Sequence, residues 1–255
     1  MNGLTTEPAR LAEADGAGGP LPWLAVPGWR ERFGVVAGIT TRGPTPEPFD
    51  LGLAGSQGVG RVLDRWRVLA GAFPEFVGLT VARQVHGTRV LWQEPFRGFA
   101  IHEDADGHAT SHRGLLLSVS AADCVPVYLV DPVRRAIALL HAGWRGTAAG
   151  IVAAGVEGLA CRAGSAPADL VMHCGVGICG DCYQVGPEVA SACGRPDQPR
   201  VDLRAVLAEQ GRAQGIGTIT VSSHCSAHMT DRFMSHRGSG GRDGRMVAFL
   251  GLLAP

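Results

Sequence analysis

The stretch from residue 118 to 147 constrains the fold most, because it predicts a β-hairpin with reactive side chains at its open end. Val125–Val130 and Ala136–Leu140 are short apolar runs. Between them, Asp131 and Pro132 suit the first two positions of a type I turn. The chain is therefore expected to reverse direction here as two antiparallel strands.

The register of this hairpin is expected to bring one cysteine and one histidine together. If Asp131 lies opposite Arg134, then Cys124 lies directly opposite His141. Directly opposed residues have Cβ atoms about 4.5–5.5 Å apart, which is close enough to share a metal ion or a proton. A slip of one or two residues would loosen this pair without separating it. The apolar spacing that follows, from residue 148 to 159, is helical, so the pair is expected beside a helix N-terminus.

Composition argues against several classes of function. Formal charge is balanced over the 255 residues, and the basic residues, all arginine, are spread along the chain, so no nucleic-acid partner is expected. The absence of lysine excludes Schiff-base chemistry and leaves anion binding to arginine or to backbone N–H groups. Seven scattered cysteines, an N-terminus without an apolar core and the lack of a membrane-length apolar run predict a cytoplasmic protein that does not enter a membrane.

The order of elements predicts an α+β fold. Residues 1–22 are rich in Gly, Ala, Pro and Glu without periodicity, and they are predicted to be a flexible tail before a single catalytic domain at 23–255. Strand-like and helical stretches neither alternate strictly nor segregate along the chain. We therefore expect mixed β-sheets packed between helices, in a layered α/β/β/α sandwich. One helix is expected to run from an N-cap at Asp202 to about Ala213.

Three residues form a candidate metal site, namely His86, Cys124 and His141. His86 lies between two strand-like runs, 79–85 and 88–92, where a kink often carries a functional side chain. Two imidazoles and one thiolate suit zinc, and three protein ligands leave a fourth position for a water whose pKa zinc would bring toward neutral. The alternative is a buried core thiol with two hydrogen-bonded histidines.

Five motifs are spread over the chain from about residue 33 to its end. They are RQVHGTRV at 83–90, SAADCVPVYLVDP at 120–132, HAGWRG at 141–146, GVGICGDCYQVG at 175–186 and CSAHMTDRFMSHRGSGGRDGRM at 225–246. Together they resemble the motifs of the laccase-domain (YfiH-like) family, also called the purine nucleoside phosphorylase or polyphenol oxidase family.

The resemblance implies both a cofactor and an activity. It implies zinc held by His86, Cys124 and His141, all intact here, with copper possible in the same site. It also implies phosphorolysis of adenosine, inosine, guanosine and methylthioadenosine by inorganic phosphate, together with deamination of adenosine. The chain departs from the usual family residues at Asp50, Gln184, Met234, His236 and Gly238, and these departures concern substrate preference more than the metal.

Four further residues are candidates for catalysis or substrate binding. Arg145, with backbone N–H groups at the predicted helix start, is the first choice for holding phosphate, and Arg237 is the second. Asp123 could be an acid, a base or a hydrogen-bonding partner of the metal ligands, or else a strand-end carboxylate bonded to backbone. Gln84 shares a predicted strand face with His86 and could read a nucleobase edge or be a structural amide.

Three rival functions are distinguished by specific residues. A multicopper oxidase needs repeated H-x-H pairs, and no two of the nine histidines are two residues apart, so a trinuclear copper cluster is not expected. A metal-free cysteine hydrolase, for example one that edits peptidoglycan precursors, would use Cys124 as nucleophile and His141 or His86 as base. A non-catalytic zinc domain would instead have a closed site with four ligands.

Two other clusters are weaker candidates. Cys179 and Cys182 have redox or zinc-knuckle spacing, but the chain has no second C-x-x-C. His224, Cys225 and His228 could bind a metal on a helical turn. Alternatively, Cys225 is a buried thiol and the two histidines line the pocket.

Overall fold

The computed structural model describes residues 7–17, 19–53, 55 and 57–254, which form fourteen strands and six α-helices. The strands are β1 (Ala9–Leu11), β2 (Ala14–Asp15), β3 (Trp23–Ala25), β4 (Val35–Thr40), β5 (Gly78–Ala82), β6 (Val90–Trp92), β7 (Gly98–His102), β8 (Gly107–Thr110), β9 (Leu115–Ala121), β10 (Val125–Asp131), β11 (Ala136–Ala142), β12 (Val171–Cys174), β13 (Thr218–Ser222) and β14 (Met246–Leu252). The helices are α1 (Trp29–Phe33), α2 (Val59–Ala72), α3 (Trp144–Ala148), α4 (Ile151–Ala163), α5 (Pro187–Ala192) and α6 (Leu203–Ala213).

The strands form two seven-stranded sheets. The first sheet has the order β1-β13-β12-β10-β11-β8-β6, and the second has the order β2-β3-β4-β14-β9-β5-β7. Each sheet mixes parallel with antiparallel pairs: β12 and β13 are parallel whereas β10 and β11 are antiparallel, and β5 and β9 are parallel whereas β14 and β4 are antiparallel. The predicted α+β fold with mixed sheets is confirmed.

The sheets pack face to face and helices cover their outer faces. Along β10, alternate side chains point to opposite sides, so Val127 and Leu129 join the helices α4 and α6 while Tyr128 and Val130 join the layer between the sheets. Trp66 of α2 packs in a third cluster on the outer face of the second sheet. The order of layers is therefore helix, sheet, sheet, helix, as predicted.

The central hairpin forms as predicted, but its predicted register is wrong by two residues. Asp131 pairs with Ala136, which leaves a four-residue turn instead of a two-residue one. Arg135 ends this turn in the left-handed conformation, with φ of 55°. Cys124 consequently lies just before the paired region instead of directly opposite His141.

The structure also differs from the flexible tail predicted for residues 1–22. Strand β1 pairs with β13 in the first sheet, and β2 pairs with β3 in the second. Between them, the buried Glu13 carboxylate lies 3.1 Å from His173 Nε2 and accepts a hydrogen bond from Ser222 Oγ at 2.7 Å. Pairing at the sheet edges thus orders a segment whose composition resembles a tail. Residues 1–6 and 18 lie outside the described part of the chain.

Helix α6 begins as predicted. The Asp202 side chain accepts hydrogen bonds from the backbone N–H groups of Arg204 and Ala205, which are otherwise unpaired at a helix start. Among the described residues, no helix is long and apolar enough to cross a lipid bilayer.

Candidate metal centre

The three predicted metal ligands meet at the junction of the two sheets. Cys124 lies in the short crossover from β9 of the second sheet to β10 of the first, and His141 lies near the end of β11. His86 follows β5 of the second sheet. One ligand atom of each residue lies within 4.8 Å of the ligand atoms of the other two. The shifted hairpin register therefore loosens the Cys124–His141 pair without separating it.

Asp106, which the sequence analysis did not single out, positions two of these ligands. Its buried carboxylate accepts hydrogen bonds from the backbone N–H groups of Val85, His86 and Gly87, at 3.1, 2.9 and 2.8 Å. The same carboxylate lies 2.9 Å from His141 Nδ1, which leaves Nε2 of that ring free to face the site. These contacts hold His86 in a left-handed conformation with φ of 60°. A carboxylate behind a histidine is the usual support of a metal-binding imidazole.

Two glycines of the HAGWRG segment provide the space in which the ligands meet. A Cβ atom at Gly143 would lie 2.8 Å from His86 Cδ2 and 3.0 Å from Cys124 Sγ. A Cβ atom at Gly146 would lie 2.9 Å from the carbonyl oxygen of Gly87. The start of α3 can therefore approach the His86 loop only because both positions lack a side chain.

The charges of the site favour a thiolate beside an imidazolium. Burial alone would raise the pKa of Cys124, but the neighbouring His141 and His86 outweigh it and lower the pKa to about 6. Burial alone would lower the pKa of His141, but Cys124 and Asp106 outweigh it and raise the pKa to about 9. Because the thiolate is the form of cysteine that binds metals and attacks electrophiles, the pair suits either chemistry.

The coordination set is open on one side. No fourth histidine, cysteine or carboxylate ligand atom among the described residues joins the group formed by His86, Cys124 and His141. His86 is exposed, whereas His141 is buried. Three protein ligands with one face toward solvent are the arrangement expected of a catalytic zinc site.

Asp123 holds a neighbouring loop beside Cys124. Its carboxylate accepts hydrogen bonds from Ser226 Oγ at 2.6 Å, Ser235 Oγ at 2.7 Å and the backbone N–H of Arg237 at 2.6 Å. Its backbone is left-handed, with φ of 87°. Since these donors already engage both carboxylate oxygens, the geometry favours a positioning role over that of an acid or a base.

The two arginine candidates both follow the three ligands in the chain, and they have different contacts. Arg237 is exposed, donates from Nη1 to the Gln184 carbonyl at 2.7 Å and lies 5.3 Å from the centre of the Tyr183 ring. Arg145 is also exposed and stacks at 4.2 Å over the ring of Trp144. Neither guanidinium has a carboxylate partner among the salt bridges of the described residues.

One backbone donor predicted to assist Arg145 is already engaged. The N–H of Thr147 donates to the carbonyl oxygen of Gly143 at 2.9 Å, within the short helix α3. The Thr147 N–H is therefore not free to bind an anion beside Arg145.

Gln84 is engaged at both ends of its amide. Its Nε2 donates to the Ser120 carbonyl at 2.9 Å, and its Oε1 accepts from the backbone N–H of Ser120 at 2.7 Å and from its hydroxyl at 2.9 Å. These contacts tie the chain before His86 to the end of β9, just before Cys124. The geometry favours the structural alternative over the reading of a nucleobase.

Fold and site together define a class: a two-sheet α+β sandwich with an open His-Cys-His centre where the sheets meet. The chain belongs to the family described as multi-copper polyphenol oxidoreductase laccase, which matches residues 40–253. The family resemblance seen in the five motifs is confirmed. Among the described residues, neither group that could hold a metal ion contains three histidines.

Relatives in this family are named for purine nucleoside chemistry. The purine nucleoside phosphorylase YlmD of Geobacillus stearothermophilus is 34% identical over 248 residues, covering 86% of this chain and 90% of that protein. The adenosine deaminase RL5, from an unknown prokaryotic organism, is 34% identical over 209 residues, covering 72% and 79%. The crystal structure of YlmD from Geobacillus stearothermophilus matches with a TM-score of 0.85 at 29% identity, covering 95% of this chain and 100% of that one. These relatives support an enzyme with phosphorylase-like activity.

Proposed function

We propose that this chain is a zinc-dependent purine nucleoside phosphorylase acting on adenosine, inosine, guanosine and methylthioadenosine, with a side activity as an adenosine deaminase. The observation that carries the proposal is the convergence of His86, Cys124 and His141, with one face of the group toward solvent. Relatives named purine nucleoside phosphorylase and adenosine deaminase, each 34% identical, supply the substrate class.

The ligand set fits zinc. Two imidazole nitrogens and one thiolate form a borderline-soft set, and Asp106 supplies the carboxylate that orients one imidazole. Copper could occupy the same three ligands, since imidazole and thiolate also suit that metal. When bound, zinc supplies Lewis-acid chemistry at its open position.

The chain's own residues must hold phosphate and keep the site in shape. In phosphorolysis, a phosphate oxygen forms a bond to the sugar C1′ while the bond from C1′ to the purine nitrogen breaks. Because the chain has no lysine, we assign phosphate binding to an arginine. Arg145 is close to the His86 loop, and Arg237 is joined to the Cys124 segment by the hydrogen bond from its backbone N–H to Asp123. Asp106 and Asp123 keep the ligands and Arg237 in their relative positions.

The proposal is tested by product identification with zinc-loaded protein. Incubation with adenosine and phosphate is expected to yield adenine and ribose-1-phosphate, and the yield should depend on phosphate. Cys124→Ser should abolish the reaction, whereas Cys161→Ser, at an exposed thiol in α4, should not change it. Inosine as the sole product would contradict the phosphorylase assignment and leave only the deaminase.

The two arginines are tested through the KM for phosphate. Arg145→Ala and Arg237→Ala are each expected to raise it, and an unchanged KM rejects the arginine concerned. Arg162→Ala is a matched control for Arg145, because Arg162 also lies over a tryptophan ring, that of Trp92 at 5.3 Å.

A second candidate, a cysteine hydrolase, is favoured by one specific observation. Cys124, His141 and Asp106 are arranged like the nucleophile, base and orienting acid of a cysteine hydrolase. The pKa of the Cys124 thiol is lowered, the pKa of the His141 imidazole is raised, and the Asp106 carboxylate orients that imidazole. Peptidoglycan precursors are one substrate class for such an enzyme. Activity that survives a chelator but is abolished by a thiol alkylator would select the hydrolase over the phosphorylase.

A further inference from the structure

A second group of metal-ligating side chains lies outside the His86 centre. We propose that Cys179, Cys182, Cys225 and His228 bind a structural zinc ion. One ligand atom from each of these residues lies within 4.8 Å of the ligand atoms of the other three. None of the seven cysteines of the chain forms a disulfide, so the three in this group are free to bind a metal. Three thiolates and one imidazole form a set typical of structural zinc.

The measured spacing fits a tetrahedral ion. Zinc–sulfur bonds of about 2.3 Å and zinc–nitrogen bonds of about 2.0–2.1 Å, at a tetrahedral angle, place the sulfur and nitrogen atoms about 3.6 Å apart. Cys179 Sγ lies 3.6 Å from His228 Nδ1. This pair is therefore spaced like two ligands on one edge of a zinc tetrahedron.

The backbone presents the four ligands as two matching turns. In the first turn, the N–H groups of Cys182 and Tyr183 donate to the Cys179 carbonyl at 3.2 and 3.0 Å. In the second, the N–H of Met229 donates to the Cys225 carbonyl at 3.1 Å. Each turn thus brings together two ligands three positions apart. The sequence analysis named Cys179–Cys182 and Cys225–His228 only as parts of two separate clusters. It did not join them, because neither turn has a complete ligand set and they are 43 or more residues apart.

The two turns already touch through a sulfur atom. The backbone N–H of Cys179 donates to Cys225 Sγ at 3.3 Å, and Gly177 forms an isolated bridge with Cys225. A backbone donor aimed at a sulfur stabilises its thiolate form, which is the form that binds a metal. Cys225 is buried and His228 is exposed, so the ion would lie at the surface with its sulfur side inward.

The second site differs from the His86 centre in being closed. Four protein ligands satisfy tetrahedral zinc and leave no position for substrate, whereas the His86 centre has only three. Its role would therefore be to fix the fold, and it is independent of the reaction assigned to the first centre.

The ion would hold two of the segments that support Asp123. Ile178, next to Cys179, donates its N–H to the Asp123 carbonyl at 2.9 Å. Ser226, next to Cys225, donates its hydroxyl to the Asp123 carboxylate at 2.6 Å. A zinc ion joining the two segments would thus stabilise the wall beside Cys124 without contacting substrate.

Metal stoichiometry tests the proposal on full-length protein purified under reducing conditions and loaded with zinc. Wild type is expected to hold two zinc ions per chain. The double variant Cys179→Ser/Cys182→Ser should hold one ion, and Cys124→Ser should also hold one. Cys161→Ser, at an exposed thiol outside both groups, should hold two. Two ions in the Cys179→Ser/Cys182→Ser variant, or a Cys179–Cys182 disulfide in the wild type, would overturn the second site. Loss of zinc only in Cys124→Ser would count against the second site and leave the first intact.

Cobalt spectra and a milder variant cover the case in which the double variant does not fold. In cobalt-loaded protein, the thiolate-to-cobalt absorption should arise mostly from the second site, which has three thiolates against one. His228→Ala, at an exposed position, should reduce the tetrahedral cobalt signal and release one zinc ion to a chelator at least about tenfold faster. An unchanged spectrum and release rate would contradict the proposal.

Discussion

Asp106 controls both histidine ligands, so a substitution there tests the site without removing a ligand. Asp106→Asn keeps the size of the side chain but replaces one acceptor oxygen with an amide donor, which faces backbone N–H groups that are themselves donors. We expect zinc affinity at the His86 centre to fall about 10–100-fold. The measurement is competition with a chromophoric chelator.

Asp131 provides a matched control for this substitution. It is also a buried aspartate that accepts two backbone N–H hydrogen bonds, from Val133 and Arg134, but it lies at the opposite end of β10 from Cys124. Asp131→Asn should lower stability and leave zinc affinity unchanged. Equal zinc affinity in both variants would mean that Asp106 has no special part in the centre.

A side chain at Gly143 is expected to disturb the metal ligands by steric contact. Its backbone, with φ of −80°, accommodates any residue, so Gly143→Ala acts only through the close approach of the new Cβ to His86 and Cys124. We expect weaker zinc binding and a loss of about 1–3 kcal/mol of stability from overpacking. Gly158→Ala is the control, because a Cβ there meets nothing within 4 Å, and it should be neutral or stabilising by up to about 1 kcal/mol. Wild-type zinc affinity in Gly143→Ala would contradict the steric account.

The sequence predicts the ligands better than the residues that support them. His86, Cys124 and His141 stand in distinctive motifs, and the structure brings them together. Asp106 contacts the chain 19 to 35 positions away, and only the folded arrangement reveals such pairings. The structural role of Gln84 could not be predicted either, because its hydrogen-bond partner, Ser120, lies 36 positions further along the chain. Contact with a nucleobase therefore remained an alternative.

The segment that contains strands β1 and β2 is expected to stabilise the fold through Glu13. Glu13→Ala would leave His173 Nε2 and the Ser222 hydroxyl buried without the carboxylate that they contact, and a buried hydrogen-bonding group without a partner costs about 1–3 kcal/mol. The free energy of unfolding in urea should fall by about that amount. Glu7→Ala removes an exposed glutamate from the same segment and should change stability by less than about 0.5 kcal/mol. Equal effects would show that the contacts of the Glu13 carboxylate do not stabilise the fold.

Elements whose own sequence has a strong pattern were predicted well. Elements that form only through contacts with residues distant in sequence were not. Strands β10 and β11 and helix α6 match the sequence predictions, because the two strands are apolar runs and the helix begins at a capping aspartate. Strand β8 was not predicted because its sequence, Gly-His-Ala-Thr, is polar. In the structure its buried His108 Nδ1 and Thr110 hydroxyl both form hydrogen bonds with Gln93. The hairpin register was missed because it depends on the left-handed Arg135.

The stability of the whole molecule should depend on pH through His108. This buried histidine lies 3.1 Å from Gln93 Nε2, and burial, with the nearby His102, lowers its pKa to about 3. Above pH 6.5 both folded and unfolded chains keep it neutral, so stability is unaffected there. As the pH falls below that value the unfolded chain binds a proton that the folded chain does not, and stability is lost until the pH reaches about 3.

The pH dependence is measurable by urea unfolding between about pH 7 and about pH 5. His108 should contribute a loss approaching about 1.4 kcal/mol per pH unit in the lower part of this range. The non-titrating variant His108→Gln should show a correspondingly shallower slope. Parallel slopes for wild type and variant would contradict a buried neutral histidine.

Anomalous diffraction tests the central claim most directly. Crystals of zinc-loaded protein, measured on both sides of the zinc absorption edge, should show a peak about 2.0–2.3 Å from an imidazole nitrogen of His86, the Cys124 sulfur and His141 Nε2. A zinc-loaded crystal with no peak between these three side chains would contradict the account, whatever other sites are filled.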